Sequence, residues 1–177
     1  MEFKKIGIDV RIDDWTKIIR PELLELGNHI SIDMGVYISV SGKLGDYIHI
    51  APHSCIIGGA ESLLLMEDFT GISAGSKIIC AGDDFTKGHL CPFVPSEYRH
   101  IINKPVIFKR FSCVGVNSVV MPGITLAEGS VVGANSVLTT DTEPWTIYVG
   151  SPAVAIKMRD SELVLKGYKE LGYKNNE

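Results

Sequence analysis

The stretch FKRFSC VGVNSV VMPGIT LAEGSV VGANSV LT, residues 108–139, divides into units of six. Large apolar residues open the units at Phe108, Val114, Val120, Leu126, Val132 and Leu138. Four places after the apolar residue stands a serine at Ser112, Ser118, Ser130 and Ser136, with Ile124 the exception. Glycine or alanine follows the apolar position directly at Gly115, Ala127 and Gly133. An amphipathic helix repeats every three to four residues and a half-buried strand every two. A period of six fits neither. It belongs to a chain of short strands and tight corners, the parallel β-helix.

The same register extends backwards through Leu26, Ile32, Ile38, Leu44, Ile50 and Ile56, and through Met66, Ile72 and Ile78 after what reads as a four-residue insertion at Ser62–Leu65. Three hexads make one triangular turn, so five turns are expected at 26–43, 44–61, 66–83, 108–125 and 126–143. The beat is absent between about Cys80 and Val106, where Pro92 and Pro95 exclude a regular helix. A loop of that length inside a compact domain is uncommon and usually functional; this one could close a site, even on a neighbouring subunit. Residues 1–25 read as an N-terminal cap over the open end of the coil, with a helical turn from Asp13 to Ile19. Beyond the last turn, Gly150 and Pro152 mark a turn. Asp160-Ser161-Glu162 then starts a helix to about Leu171 that would cover the other end. The expected architecture is all-β, one domain over 1–177: the cap at 1–25, a β-helix at 26–143 carrying the loop 80–106, and a C-terminal segment with a short helix at 144–177.

With 177 residues the chain can bury a substantial core. Its formal charge of −4 offers no reason to expect nucleic acid or an anionic membrane as partner. No apolar run approaches the roughly 18 residues of a transmembrane helix, and Met-Glu-Phe-Lys-Lys lacks the apolar core of a signal peptide. Cys55, Cys80, Cys91 and Cys113 show no C-x-x-C spacing, as expected for free thiols in a reducing compartment. A soluble cytoplasmic protein is expected.

Val114-Gly115-Val116-Asn117-Ser118-Val119-Val120-Met121-Pro122-Gly123-Ile124 resembles the closing coils of the hexapeptide-repeat acyltransferases. So do Val132-Gly133-Ala134-Asn135-Ser136-Val137-Leu138-Thr139-Thr140-Asp141 and Tyr148-Val149-Gly150-Ser151-Pro152-Ala153. Within that superfamily the likeness is to the O- and N-acetyltransferases of surface-polysaccharide and nucleotide-sugar pathways. It implies a left-handed parallel β-helix, a homotrimer, and acetyl-CoA in clefts between subunits, with no metal required. It also implies acetyl transfer to a sugar hydroxyl or amine. On this resemblance Gly115, Gly133, Ala134 and Ser136 would provide small corners along which pantetheine lies. Asn135, Thr139 and Thr140 would offer donors, and Lys157 and Arg159 would meet the CoA phosphates.

Acetyl transfer calls for a general base and for donors to the developing oxyanion, and histidine suits the first role. His49, in Tyr47-Ile48-His49-Ile50-Ala51, stands at the outward position before a core residue; the phrase is similar to the His-Ile-Ala segment of polysaccharide acetyltransferases. His89 lies in the long loop, as the catalytic histidine does in the galactoside and maltose acetyltransferase branch, though six residues beyond Asp83, which follows Ala81-Gly82. Either can be the base, and the two could face each other across a subunit boundary. Asp83 or Asp84 could orient a histidine, Asp84 being the candidate carried forward, or both could be turn residues. His53 is a lesser candidate for a substrate contact; His29 and His100 rank lower still. Cys113 as an acetyl-accepting nucleophile is disfavoured. Two other functions use the same coil: a γ-carbonic-anhydrase-like metalloenzyme with zinc on His49, His53 and His89, and a non-catalytic scaffold.

Overall fold

The computed structural model describes residues 1–87 and 91–173. The chain winds as a left-handed parallel β-helix with three flat faces. The first face stacks six parallel strands: Lys5–Ile6, Leu24–Leu26, Ser41–Leu44, Leu63–Met66, Val106–Phe108 and Thr125–Leu126. The third face also has six, beginning with Lys17–Ile18 and ending with Val137–Leu138. The second face runs from Val10–Ile12 through Ile30–Ile32, Ile48–Ile50, Gly71–Ile72, Cys113–Val114 and Val131–Val132 to Thr146–Gly150. Antiparallel Ala153–Met158 closes it.

Every apolar residue of the six-residue beat from Leu26 to Leu138 is buried in the core. At about 1.5–3 kcal/mol for each fully buried large side chain, this column holds the coil together. The serines that follow four places later are equally buried, and they satisfy the corner backbone. Ser118 Oγ donates to Gly133 O at 2.7 Å and accepts from Ser136 N at 3.1 Å; Ser136 Oγ in turn accepts from Gly150 N at 3.0 Å. Buried corner groups are thereby paired from one turn to the next.

Four expectations change. Residues 5–18 form a further turn of the coil rather than a cap: Ile6, Ile12 and Ile18 stack on Leu26, Ile32 and Ile38, and no helix forms at 13–19. The 3₁₀ turn Pro21–Leu23 adds two residues to that turn, which puts its beat out of phase with the rest. The four extra residues before Met66 lie in the corner after Ile57, since Leu63–Leu65 pair with Ser41–Lys43 and Leu64 is core. The long insertion leaves and rejoins the coil as a two-stranded antiparallel ribbon, Ala81–Asp83 against Ile101–Asn103. Helix α1 (Glu162–Glu170) starts where expected, with Asp160 Oδ1 accepting from Glu162 N. It lies along the edge between the first and second faces rather than across an end: Tyr168 meets Phe69 and Phe111 edge-on at 5.4 and 5.1 Å.

Candidate active site

The second face presents one outward residue per turn. In register these are Arg11, Ser31, His49, Gly71, Cys113, Val131 and Ile147. His49 Nε2 meets Asp33 Oδ2 at 2.7 Å; the imidazole is 57% exposed and the carboxylate 18%. Asp33 follows core residue Ile32 in the preceding turn, which places its side chain level with the His49 ring. Its other oxygen accepts from Ser31 Oγ at 2.9 Å and from Arg11 Nη2 at 3.2 Å, while Arg11 also donates to Ser31 Oγ at 2.8 Å. Burial pushes the Asp33 carboxyl up, but the hydrogen bonds from His49 and Ser31 and the nearby positive charge outweigh it, so it sits below its ordinary value. Asp33 therefore stays ionised and holds the imidazole by a charge-assisted bond.

Beside this group runs a column of residues at the edge between the first and second faces. His29 stacks on Tyr47 at 4.5 Å and Tyr47 on Phe69 at 4.8 Å; Phe111 and Trp145 continue the column. All five adopt positive φ, between 52° and 63°, a left-handed geometry costing roughly 1–2 kcal/mol per residue. Ring stacking offsets that cost. His29 Nδ1 also meets Asp9 Oδ2 at 2.8 Å, a second histidine–carboxylate pair. Between the aromatic column and the His49 row lies an open cavity of about 510 Å³, walled by Tyr47, Phe69, His49 and Cys113 and floored by Gly71. Burial raises the Cys113 thiol above its ordinary value despite Arg159 and the Gly71 backbone, so it rests protonated rather than as a nucleophilic thiolate.

The residues expected to hold CoA do not converge within one chain. Gly115, Gly133, Ala134, Asn135 and Ser136 stand at the edge between the second and third faces; Thr139 and Thr140 stand at the opposite edge of the third face. Ala134 and Asn135 are exposed there. The two glycines have a packing reason of their own. A Cβ on Gly115 would lie 2.7 Å from Ala134 N, and one on Gly133 would lie 2.6 Å from Val149 Cγ1, so each lets the next turn approach. The Ser136 hydroxyl is buried and used inside the corner, accepting from Gly150 N, which leaves Asn135 beside it as the exposed side-chain donor. Lys157 is exposed on the last strand. Arg159 is half-buried: Nη1 donates to Phe111 O at 2.7 Å and to Gly129 O at 3.0 Å, and the guanidinium lies 5.7 Å from the Trp145 ring centre.

Asp84 is in the insertion, where Oδ1 accepts from Thr86 Oγ1 at 2.6 Å and Thr86 N at 3.0 Å; those bonds hold it below its ordinary value. It is a turn-forming residue within the chain and is not brought to His49. Asp83 pairs with Arg99 at 2.9 Å. His89 lies outside the described residues. His53 packs over Gly35, at the edge between the second and third faces rather than beside His49. Among the described residues no group of three or more His, Cys, Asp or Glu is placed to hold a metal ion. Among the same residues, no helix is long and apolar enough to cross a membrane. Sequence reasoning missed Asp33, Ser31, Arg11 and the aromatic column.

No family model matches the chain. Over 168 residues it is 33% identical to the dTDP-4-amino-4,6-dideoxy-D-glucose acyltransferase of Escherichia coli, covering 93% of this chain and 86% of that one. A putative lipopolysaccharide biosynthesis O-acetyl transferase of Escherichia coli is 29% identical over 131 residues, 73% of this chain and 64% of the other. The fold matches an aspartate-to-asparagine mutant of AntD, an N-acyltransferase from Bacillus cereus, in complex with dTDP and coenzyme A. The TM-score is 0.92 at 32% identity, over 96% of this chain and 92% of that chain. AntD with dTDP and 3-hydroxybutyryl-CoA superposes with a TM-score of 0.91 at 32% identity, over 96% and 90% of the two chains.

Proposed function

The chain belongs to the hexapeptide-repeat sugar acyltransferases, and from that premise we propose that it transfers a short acyl group from acyl-CoA to the amino group of a nucleotide-linked amino sugar. Its near full-length likeness to a dTDP-amino-sugar acyltransferase supports the acceptor class. The observation that carries the mechanism is His49 held by Asp33 on the wall of the open cavity.

With Nε2–H donated to Asp33, Nδ1 is the nitrogen left to accept a proton. The neutral amine attacks the thioester carbonyl carbon. The tetrahedral intermediate collapses as the C–S bond breaks, an amide forms, and coenzyme A departs as thiolate. His49 takes the proton shed by the amine and returns it to the thiolate or to solvent. Asp33 stabilises the imidazolium in between, the role of the carboxylate in a triad. His89 remains a second candidate for the base, supplied from the insertion of a neighbouring subunit. Acetyl is the donor we favour, held along the edge that carries Gly115, Gly133, Ala134 and Asn135, with Lys157 toward the phosphates. The pantetheine arm needs a surface without bulky side chains, and the exposed Ala134 and Asn135 on that edge support this placement.

A homotrimer is part of the proposal. A monomer in light scattering would contradict the assembly. The deciding assay follows thiol release from acetyl-CoA with dTDP-4-amino-4,6-dideoxyglucose, other nucleotide amino sugars and hydroxyl-bearing glycans. Amine-dependent release is expected. Release only with glycans would replace N-acylation by O-acylation, and none with any acceptor would defeat the proposal.

A further inference from the structure

The outward row of the second face has one gap. Strands stack at about 4.8 Å, so His49 and Cys113, with Gly71 between them in register, stand about two spacings apart. The intervening position carries no side chain. It is not a backbone requirement: Gly71 has no positive φ, and a Cβ there would lie 3.7 Å from His49 O and 3.9 Å from Cys113 Sγ, ordinary van der Waals distances. This separates Gly71 from Gly115 and Gly133, where the next turn fills the space. An alanine would fit the fold at Gly71, and what glycine preserves is room on the surface.

That room lies inside the cavity. One end of the gap is the imidazole of His49, and the other is the half-buried Cys113 thiol, which turns toward the Gly71 backbone. Cys113 Sγ is 3.8 Å from Phe111 O, so the thiol is seated against the aromatic edge. The slot is thus polar at the histidine and lined by the thiol sulfur at its other end. An acyl thioester has the same two ends: a carbonyl that must lie by the base, and a hydrocarbon tail that must lie away from it.

We infer that Gly71 and Cys113 form the acyl-tail subsite and set the length of acyl group this protein transfers. This rests on placing acyl transfer at His49. The carbonyl carbon sits at the histidine end, the tail runs over the bare Gly71 backbone, and Cys113 is the stop. A methyl group added at Gly71 occupies the floor, and removing the sulfur at Cys113 moves the stop back.

The test compares acetyl-CoA with 3-hydroxybutyryl-CoA in the wild type, Gly71→Ala, Cys113→Ala and His49→Asn, using the best amino-sugar acceptor. One methylene in an apolar pocket is worth roughly 10- to 200-fold in discrimination. In Gly71→Ala the ratio of kcat/KM for the longer donor to that for acetyl-CoA should fall about tenfold or more. In Cys113→Ala the same ratio should rise. Thermal melting and CoA titration confirm that each variant is folded, and the opposite sign in Cys113→Ala supplies an independent arm should Gly71→Ala not fold. Ratios within threefold of wild type, with His49→Asn inactive, overturn the tail subsite and leave the base in place. Full turnover by His49→Asn overturns the site itself and the inference with it.

Discussion

Replacing Asp33 by Asn tests the His49 mechanism without changing shape. The amide oxygen can still accept from Ser31 Oγ and Arg11 Nη2, which now meet Asp33 Oδ1 at 2.9 and 3.2 Å. The other terminus, 2.7 Å from His49 Nε2, becomes an N–H₂ group. It can only donate, so Nε2 must accept and the imidazole proton moves to Nδ1, the atom required as base. The site then operates through the minority tautomer, which forfeits that bond. Hydrogen bonds to charged groups contribute about 1.5–3 kcal/mol, equivalent to roughly 10- to 150-fold in rate. Because the His49 ring is 57% exposed, solvent compensates in part, and the lower end, roughly 10- to 30-fold, is expected. Steady-state kinetics with amino sugar and acetyl-CoA should place the loss in kcat, with KM for both substrates nearly unchanged. Asp33→Glu should recover part of it. A kcat within twofold of wild type in Asp33→Asn would refute the base at Nδ1.

Other outcomes follow from the same contacts. Ser118→Ala deprives Gly133 O and Ser136 N of their partner; at about 1–3 kcal/mol for an unpaired buried group, thermal melting should fall by at least about 2 °C, and a change under 1 °C would contradict the serine column. Lys157→Ala should weaken CoA binding in calorimetry with the melting temperature unchanged. Arg159→Ala should lower the melting temperature, because that side chain ties Phe111 O and Gly129 O; the opposite assignment of the two effects would make Arg159 the phosphate contact. Asp46 is pushed up by burial, yet hydrogen bonds from Asn28 and the Tyr173 hydroxyl hold it below its ordinary value. Its stabilising contribution is therefore complete above the unfolded carboxylate's pKa of about 3.9 and lost as pH falls through the lower folded value. Urea unfolding of wild type and Asp46→Asn should converge in that acid window, and equal separation at pH 7 and below it would remove Asp46 from the linkage.

What a sequence displays is set by how far apart its partners lie in the chain. The core repeats every six residues, so Leu26 to Leu138 could be read directly and each is buried. Ile6, Ile12 and Ile18 keep the same beat, but the two extra residues at Pro21–Leu23 shift their phase, and so the first turn passed as a cap. Contacts between turns have a longer period that every corner insertion resets. Tyr47, Phe69, Phe111 and Trp145 stack in space while their spacing along the chain is irregular: the corner after Ile57 lies between the first two, the ribbon at 81–103 between the next two, and a turn that places Gly129 in the column between the last two. Asp33 was hidden similarly: it is adjacent to His49 only once Ser31 is known to lie beside His49 in register. A signal did exist, since the residue eighteen before His49 in an uninterrupted turn is Ser31, and Asp33 is two further on. Gly71 shows the converse limit. It stands directly before core residue Ile72, whereas Gly115 and Gly133 directly follow theirs; but only the atoms that a Cβ would meet reveal that those two are filled by the coil and this one is left open. In a β-helix the six-residue beat specifies the wall, and chemistry is specified by differences between successive turns at one outward position.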